Sequence, residues 1–253
     1  TDPSRKKQEC EDVALVNDAI RAAAAQWPPQ LLEERRWVCW RKRPKEGGGF
    51  SKPPVDISYP RGDRVYPANI RPGAVYEQGL KRGQPKPVCL YTFQEAMSAL
   101  ERGVCDGVGI ATGDFGGLPL CGIDLDGVFD EKGRPLPEWA ETIATVAQNG
   151  YSEISPSGRG LRGLALCRKP EGYREKADVN GHDVEVRFDG HYMTLTGDRR
   201  SATVPLSEDA TAVQWICEGY LRDKPTGGVS KVSNSPPDFL SVGLERDAAF
   251  SAC

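Results

Sequence analysis

Apolar residues change their period several times along the chain, and each change predicts an element. Between residues 10 and 26, Val13, Leu15, Val16, Ala19, Ile20 and an alanine run give a helical stripe that ends at Trp27-Pro28-Pro29. From Arg35 to Arg43 apolar and basic residues alternate, as in a half-buried strand, and Gly47-Gly48-Gly49 makes the turn that follows. Residues 56 to 88, rich in Pro, Gly, Arg and Tyr, have no period and read as a long irregular loop. Thr92 and Glu95 form a capping box opening a helix that ends near Gly103, because each side chain can satisfy a free N–H of the first turn.

From residue 107 the signals become dense. GVGIATG and LPLCGIDLDGV read as strands, a helix is predicted over about 137–149, and YSEIS, the loop PSGRG and LRGLALC come next. DVEVRF and HYMTLTG are expected to pair as a hairpin around Asp189-Gly190, and residues 207–222 to form a closing helix. Consecutive strands with few helices predict an α+β fold, with helices packed on one face of a sheet, over a doubly wound parallel one. The expected division is a helical segment over 1–30, a main domain over 31–222 (an N-terminal α/β subregion, 31–105, and a core, 106–222) and a linker or disordered tail over 223–253, where Pro, Gly and Ser dominate.

Composition narrows the classes. A chain of 253 residues that is 38% hydrophobic is globular and can bury a real core. No apolar run approaches the roughly 20 residues of a membrane span, and the N-terminus has no apolar signal core, so a cytoplasmic protein is expected. The chain opens on Thr1, not Met, and therefore reads as processed or as a fragment of a longer protein. Eight cysteines are scattered without a C-x-x-C pair, which argues against a zinc ribbon and for reduced thiols. With only His182 and His191 present, histidine-rich metal sites and Ser-His-Asp hydrolysis have little support, and carboxylates must carry the chemistry.

Asp124 and Asp126 stand two apart inside the apolar run CGIDLDGVFD. On a strand such residues share a face with their Cα atoms about 6.5–7 Å apart, so both carboxylates can reach one cation. Hard carboxylate oxygens suit Mg²⁺ or Mn²⁺ and hence phosphate chemistry; the other reading is a solvated loop. Ser155, Ser157, Gly158 and Gly160 make a small-residue loop with Arg159 and Arg162 beside it, fit either to cradle phosphates or to serve as a plain turn. Glu185 lies between Val184 and Val186 and faces away from them. Arg187 is poorly placed to pair with it, so a shared metal is expected. Net charge is −3, yet basic residues cluster over 35–45 and 159–176, as an anion groove or as ordinary charged faces.

Taken in order, these segments resemble the archaeo-eukaryotic primase superfamily, specifically the primase-polymerase domains of phages, plasmids and other mobile elements. The likeness runs over roughly residues 36–200: Trp37-x-x-Trp40, Lys52-Pro53, the Thr92–Ala96 helix start, Gly107-Val108-Gly109, Ile123–Asp126, Glu153–Gly160, Val184-Glu185 and Gly190–Gly197. It implies an RRM-like mixed or antiparallel sheet with flanking helices. It also implies two Mg²⁺ or Mn²⁺ ions held by Asp124, Asp126 and Glu185, which would make these the catalytic residues of templated nucleotidyl transfer. Ser155, Ser157, Gly158, Arg159, Arg162, His191 and Lys52 would bind the incoming nucleotide. The implied partners are a single-stranded DNA template, an NTP or dNTP, and a helicase outside this chain. Trp37, Trp40 and Tyr59 would either stack on template bases or sit in the core. The chain departs from the family in carrying Arg162 where members commonly have histidine, and His191 where many have arginine. Two other readings stay open: IDLDGVFD alone also fits a haloacid-dehalogenase-like phosphohydrolase, and the domain would serve equally as a non-catalytic DNA-binding or initiator module.

Overall fold

The computed structural model describes residues 15–25, 27–61, 64–71, 73–78, 80–130, 132–134, 140, 151–198, 206 and 211–222. The helix expected over 137–149 and the tail after 223 lie outside these residues. Helix α1 covers 15–24 and α2 Pro29–Glu33. Next come β1 (Trp37–Trp40), β2 (Arg43–Pro44), β3 (Phe50–Ser51), β4 (Pro54–Arg61) and β5 (Arg64–Pro67). After α3 (Phe93–Glu101) the strands are β6 (Gly107–Ala111), β7 (Gly113–Phe115), β8 (Leu118–Leu125), β9 (Tyr151–Ile154), β10 (Leu161–Leu166), β11 (Lys176–Val179), β12 (His182–Arg187) and β13 (Tyr192–Leu195). Helix α4 (Thr211–Ile216) continues into a π turn, Cys217–Leu221.

The architecture is α+β with few helices, as expected, and its named strands pair antiparallel in two main sheets and the short β2–β3 pair. The first runs β13-β6-β1-β4-β5 and the second β11-β12-β8-β10-β9, with β7 also paired to β8. The hairpin expected around Asp189-Gly190 does not form, because β12 and β13 belong to different sheets. Asn180 and Gly181, both at positive φ (55° and 84°), make the two-residue turn that pairs β11 with β12. Since β8 takes the other edge of β12, no edge remains for β13, which pairs with β6. Within the stretch expected to be a loop, β4 and β5 pair as a hairpin; prolines at 54, 60 and 67 mask its alternation, and Pro67 lies on β5, the edge of the sheet.

β1 is buried at every position, not half-buried, because β4 and β6 flank it and helices cover it. Trp37 stacks on Trp27 with centroids 5.7 Å apart, and its indole N–H donates to the Leu31 carbonyl; that of Trp40 donates to Val108. The basic residues around β1 act largely as caps: Arg41 donates to the Gly103 and Val104 carbonyls, and Arg36 to those of Ala111 and Asp114. The Thr92–Glu95 capping box opens α3 as expected, and Gly103, at φ 68°, stands just beyond the helix end.

β8 joins the two cores through strict alternation. Leu120 belongs to the core of the first sheet, and a Cβ on Gly122 would come within 2.3 Å of the Met193 side chain, so the sheets approach closely there. Cys121, Ile123 and Leu125 point the other way, into a core closed by Val213, Ile216, Cys217 and Leu221. A second seam follows β13. The N–H groups of Thr196 and Gly197 donate to the fully buried Glu153 carboxylate of β9 at 2.9 and 3.0 Å, and the Tyr151 hydroxyl adds a third bond at 2.8 Å. Gly197 also abuts α1: a Cβ there would lie 2.4 Å from the Ala19 carbonyl carbon.

Gly197→Ala therefore meets backbone atoms and an unfavourable φ together, and is expected to cost roughly 2–3 kcal/mol, measured by urea unfolding. Burial pushes the Glu153 carboxyl from its ordinary 4.5 up to about 7, against the pull of its three donors and of Arg162. Folding thus takes up a proton between those values, and the contribution of Glu153 to stability falls as pH rises through them. In urea unfolding at about pH 5 and about pH 7.5, the stability gap between wild type and Glu153→Gln is expected to narrow by up to roughly 3 kcal/mol. A constant gap would mean that Glu153 stays ionised throughout.

Candidate functional site

Register in the second sheet aligns five charged side chains. Glu153 pairs with Arg162, Arg162 with Asp124, Asp124 with Glu185, and Glu185 with Lys176, across β9, β10, β8, β12 and β11. Directly opposed residues share a face with Cβ atoms about 4.5–5.5 Å apart. The neighbours on each strand, including Leu161, Ile123, Leu125, Val184 and Val186, fill the core behind the sheet, which turns the charged row to the opposite face. Asp124 and Glu185, 61 positions apart in the chain (185 − 124), thereby stand side by side.

Two like charges in register repel, and the structure balances them with cations. The Arg162 guanidinium donates twice to Asp124, Nε to Oδ1 at 3.0 Å and Nη2 to Oδ2 at 3.1 Å. Glu185 is held by Lys176 at 2.8 Å and by Arg187 at 2.7 Å. Arg187 does pair with Glu185, contrary to expectation: residues two apart share a strand face, and the long arginine side chain spans the gap. Burial, then the Asp126 and Glu185 charges, raise the Asp124 carboxyl above its usual range, while Arg162 opposes them. Burial would lower Arg162, but Asp124, Asp126 and Glu153 together raise it. Its Nη1 is buried and has no hydrogen-bond partner among the described residues.

Asp126 lies in the turn after β8, exposed, with its N–H donating to the Asp183 carbonyl at 3.0 Å. Its charge reaches Asp124, Arg162 and Lys52. Lys52 comes from the N-terminal half of the chain. Burial and the nearby Arg162 lower its ammonium, Asp124 and Asp126 oppose that shift, and its carbonyl accepts from the Tyr192 hydroxyl.

The segment from Ser155 to Gly160 is the hairpin turn between β9 and β10, at the Asp126 end of the sheet. Most of its N–H groups are used within it: Ser155 N–H donates to the Gly160 carbonyl, Gly158 N–H to the Ser155 carbonyl, and Gly160 N–H to Ser155 Oγ. Ser155 and Ser157 share a hydroxyl bond at 2.9 Å, and the Arg159 carbonyl accepts from Phe129 N–H. The loop offers side chains more than a cradle of free amides. His191 precedes β13; burial, then the Arg187 and Arg71 charges, lower its pKa.

Arg71 and Glu153 are the residues that sequence reasoning missed. Arg71 donates through Nε to the Gly190 carbonyl at 2.9 Å, but it comes from a stretch with no pattern. Glu153 carried a weak signal, a carboxylate in an otherwise buried strand. Trp37 and Trp40 are 0% and 2% exposed, so core packing claims them both; the Tyr59 side chain lies outside the described set. A pocket lined by Cys167, Tyr173, Val213 and Cys217 opens on the other side of the second sheet.

Among the described residues no three His, Cys, Asp or Glu side chains already surround a cation position. The donor set nonetheless fits one: hard carboxylate oxygens on one face, with their charge at present met by Arg162, Lys176 and Arg187. No helix among the described residues is long and apolar enough to cross a membrane.

No family model matches the chain. Over 121 residues, 47% of its length, it is 34% identical to a DNA primase-polymerase of Nitratiruptor phage NrS-1, and the match spans 16% of that protein. The chain is thus related, over about half its length, to a phage primase-polymerase.

Proposed function

We propose that this chain is the catalytic domain of a DNA primase-polymerase of the archaeo-eukaryotic primase superfamily, joining nucleotides on a single-stranded DNA template for replication of a phage or other mobile element. The observation that carries the reading is the register pairing of Asp124 with Glu185, beside Arg162 and its unpartnered Nη1. In this reading the second sheet, with charges on one face and α4 behind, is the RRM-like core.

Asp124, Asp126 and Glu185 would hold Mg²⁺ or Mn²⁺, which when bound supplies charge neutralisation at the triphosphate and a more acidic attacking hydroxyl. Arg162 and Lys52 bind triphosphate oxygens beside those carboxylates, with Arg159 at the turn and Arg71 and His191 on the β13 side. Arginine keeps its charge at every working pH, so replacing the family histidine with Arg162 keeps phosphate binding and removes one source of pH dependence. Ser155 and Ser157 orient the turn. A helicase, as a separate protein or a further domain, would be its partner in replication.

The phosphohydrolase reading has less support, because Asp124 stands in the middle of an antiparallel sheet and not on the leading strand of a parallel one. A non-catalytic DNA-binding module would leave the three carboxylates without a task. Incubation with a single-stranded template, labelled NTPs or dNTPs and Mg²⁺ or Mn²⁺ is expected to yield metal-dependent product that Asp124→Ala/Asp126→Ala reduces to background. Equal synthesis by both proteins removes the aspartates from the mechanism. Phosphate release from small monoesters without synthesis would favour the hydrolase, and DNA binding indifferent to Mn²⁺ and to the double substitution would favour the inert module.

A further inference from the structure

We infer that Arg162 competes with the divalent ion for Asp124, so that ion and nucleoside triphosphate enter the site together: phosphate draws the guanidinium away and frees the carboxylate. This rests on the metal-dependent reading above and concerns how that site is loaded.

Both Asp124 oxygens are engaged by Arg162, and a fixed positive charge in a mostly buried site repels a second cation placed beside it. The pairs on Glu185 differ in kind. Lys176 is 47% exposed, so water can take over that partner at little cost, and Arg187, at 20%, is more open than Arg162, whose side chain is 6% exposed. A buried guanidinium cannot leave its carboxylate unless other acceptors receive it. Two features provide for this. Nη1 is already buried and unbonded, so it has an unused donor for an anion's oxygen. Glu153 stands in register with Arg162 on the side opposite Asp124, fully buried and fixed by three hydrogen bonds, so at a pH above about 7, where it is ionised, its charge continues to balance the guanidinium after Asp124 is released. A ligand that supplies phosphate oxygens therefore raises affinity for the ion, and by linkage the ion raises affinity for the phosphate. A neutral residue at 162 would remove the competition.

The test measures free Mn²⁺ by electron paramagnetic resonance, first with Mn²⁺ alone and then with a non-hydrolysable dNTP analogue, whose own chelation is subtracted. Wild type is expected to bind Mn²⁺ weakly by itself and about tenfold or more tightly with the nucleotide. Arg162→Gln is expected to bind Mn²⁺ alone about tenfold more tightly than wild type and to lose most of that coupling. Arg162→Lys keeps a charge without the two-pronged grip and should fall between them; it carries the test if the glutamine variant proves unfolded by circular dichroism. Mn²⁺ affinity unchanged or weakened in both variants, with coupling intact, overturns the inference. Asp124→Ala separates the two levels: if it leaves Mn²⁺ binding unchanged, the metal reading itself fails, and if it abolishes binding while the Arg162 variants behave as wild type, only the competition fails.

Discussion

Repulsion between Asp124 and Glu185, placed in register on neighbouring strands, is the constraint around which the second sheet is arranged. Such a pair is unfavourable unless cations stand beside it, and the flanking strands supply them: Arg162 from β10 on one side, Lys176 from β11 on the other, and Arg187 two residues along β12. The row can lie on the face turned toward the first sheet only because the alternate residues of the same strands are apolar and close a core against α4. Removing the cations would leave the carboxylates facing each other unpaired, and shifting the register by one residue would exchange the two faces. The sequence of β8, with Asp124 between Ile123 and Leu125, is therefore at once a folding instruction and a site.

The first sheet supplies the site's second wall. It brings Lys52 within electrostatic reach of Asp124 and Asp126 and presents His191 beside Arg71, while Met193 packs against Gly122. Residues far apart in the chain are fixed relative to one another by two seams, Met193 on Gly122 and the Thr196–Gly197 backbone on Glu153. Both form at β13 and the residues just after it, so the strand that ties the two sheets together also carries Tyr192 and directly follows His191.

What could be read from the sequence was local. The Thr92 capping box, the Gly103 stop, the strand character of residues 118–125 and the facing of Glu185 away from its valines all follow from spacing of a few residues, and the structure shows each of them. Pairing between strands was legible only in part. The Asn180-Gly181 turn carried its own signal, yet Asp189-Gly190 offered a similar one, and only competition for the edges of β12 decides between them. Glu153 and Arg71 were hidden for a different reason: the partners that define them, the Thr196 and Gly197 amides and the Gly190 carbonyl, lie more than forty and more than a hundred positions away. The two basic clusters looked alike as text but separate in space, one capping carbonyls around β1 and the other supplying Arg162 and Lys176 to the charged row.

The contact between Gly197 and the backbone of α1 reaches further than its size suggests. Ile20, Ala23 and Ala24 of that helix belong to the first core, and the glycine that abuts its Ala19–Ile20 backbone donates its N–H to Glu153, the neighbour of Arg162. A mechanical line thus runs from the amino-terminal helix to the guanidinium at the centre of the sheet. Displacing α1 would press on Gly197 and so on the amide that holds Glu153 beside Arg162.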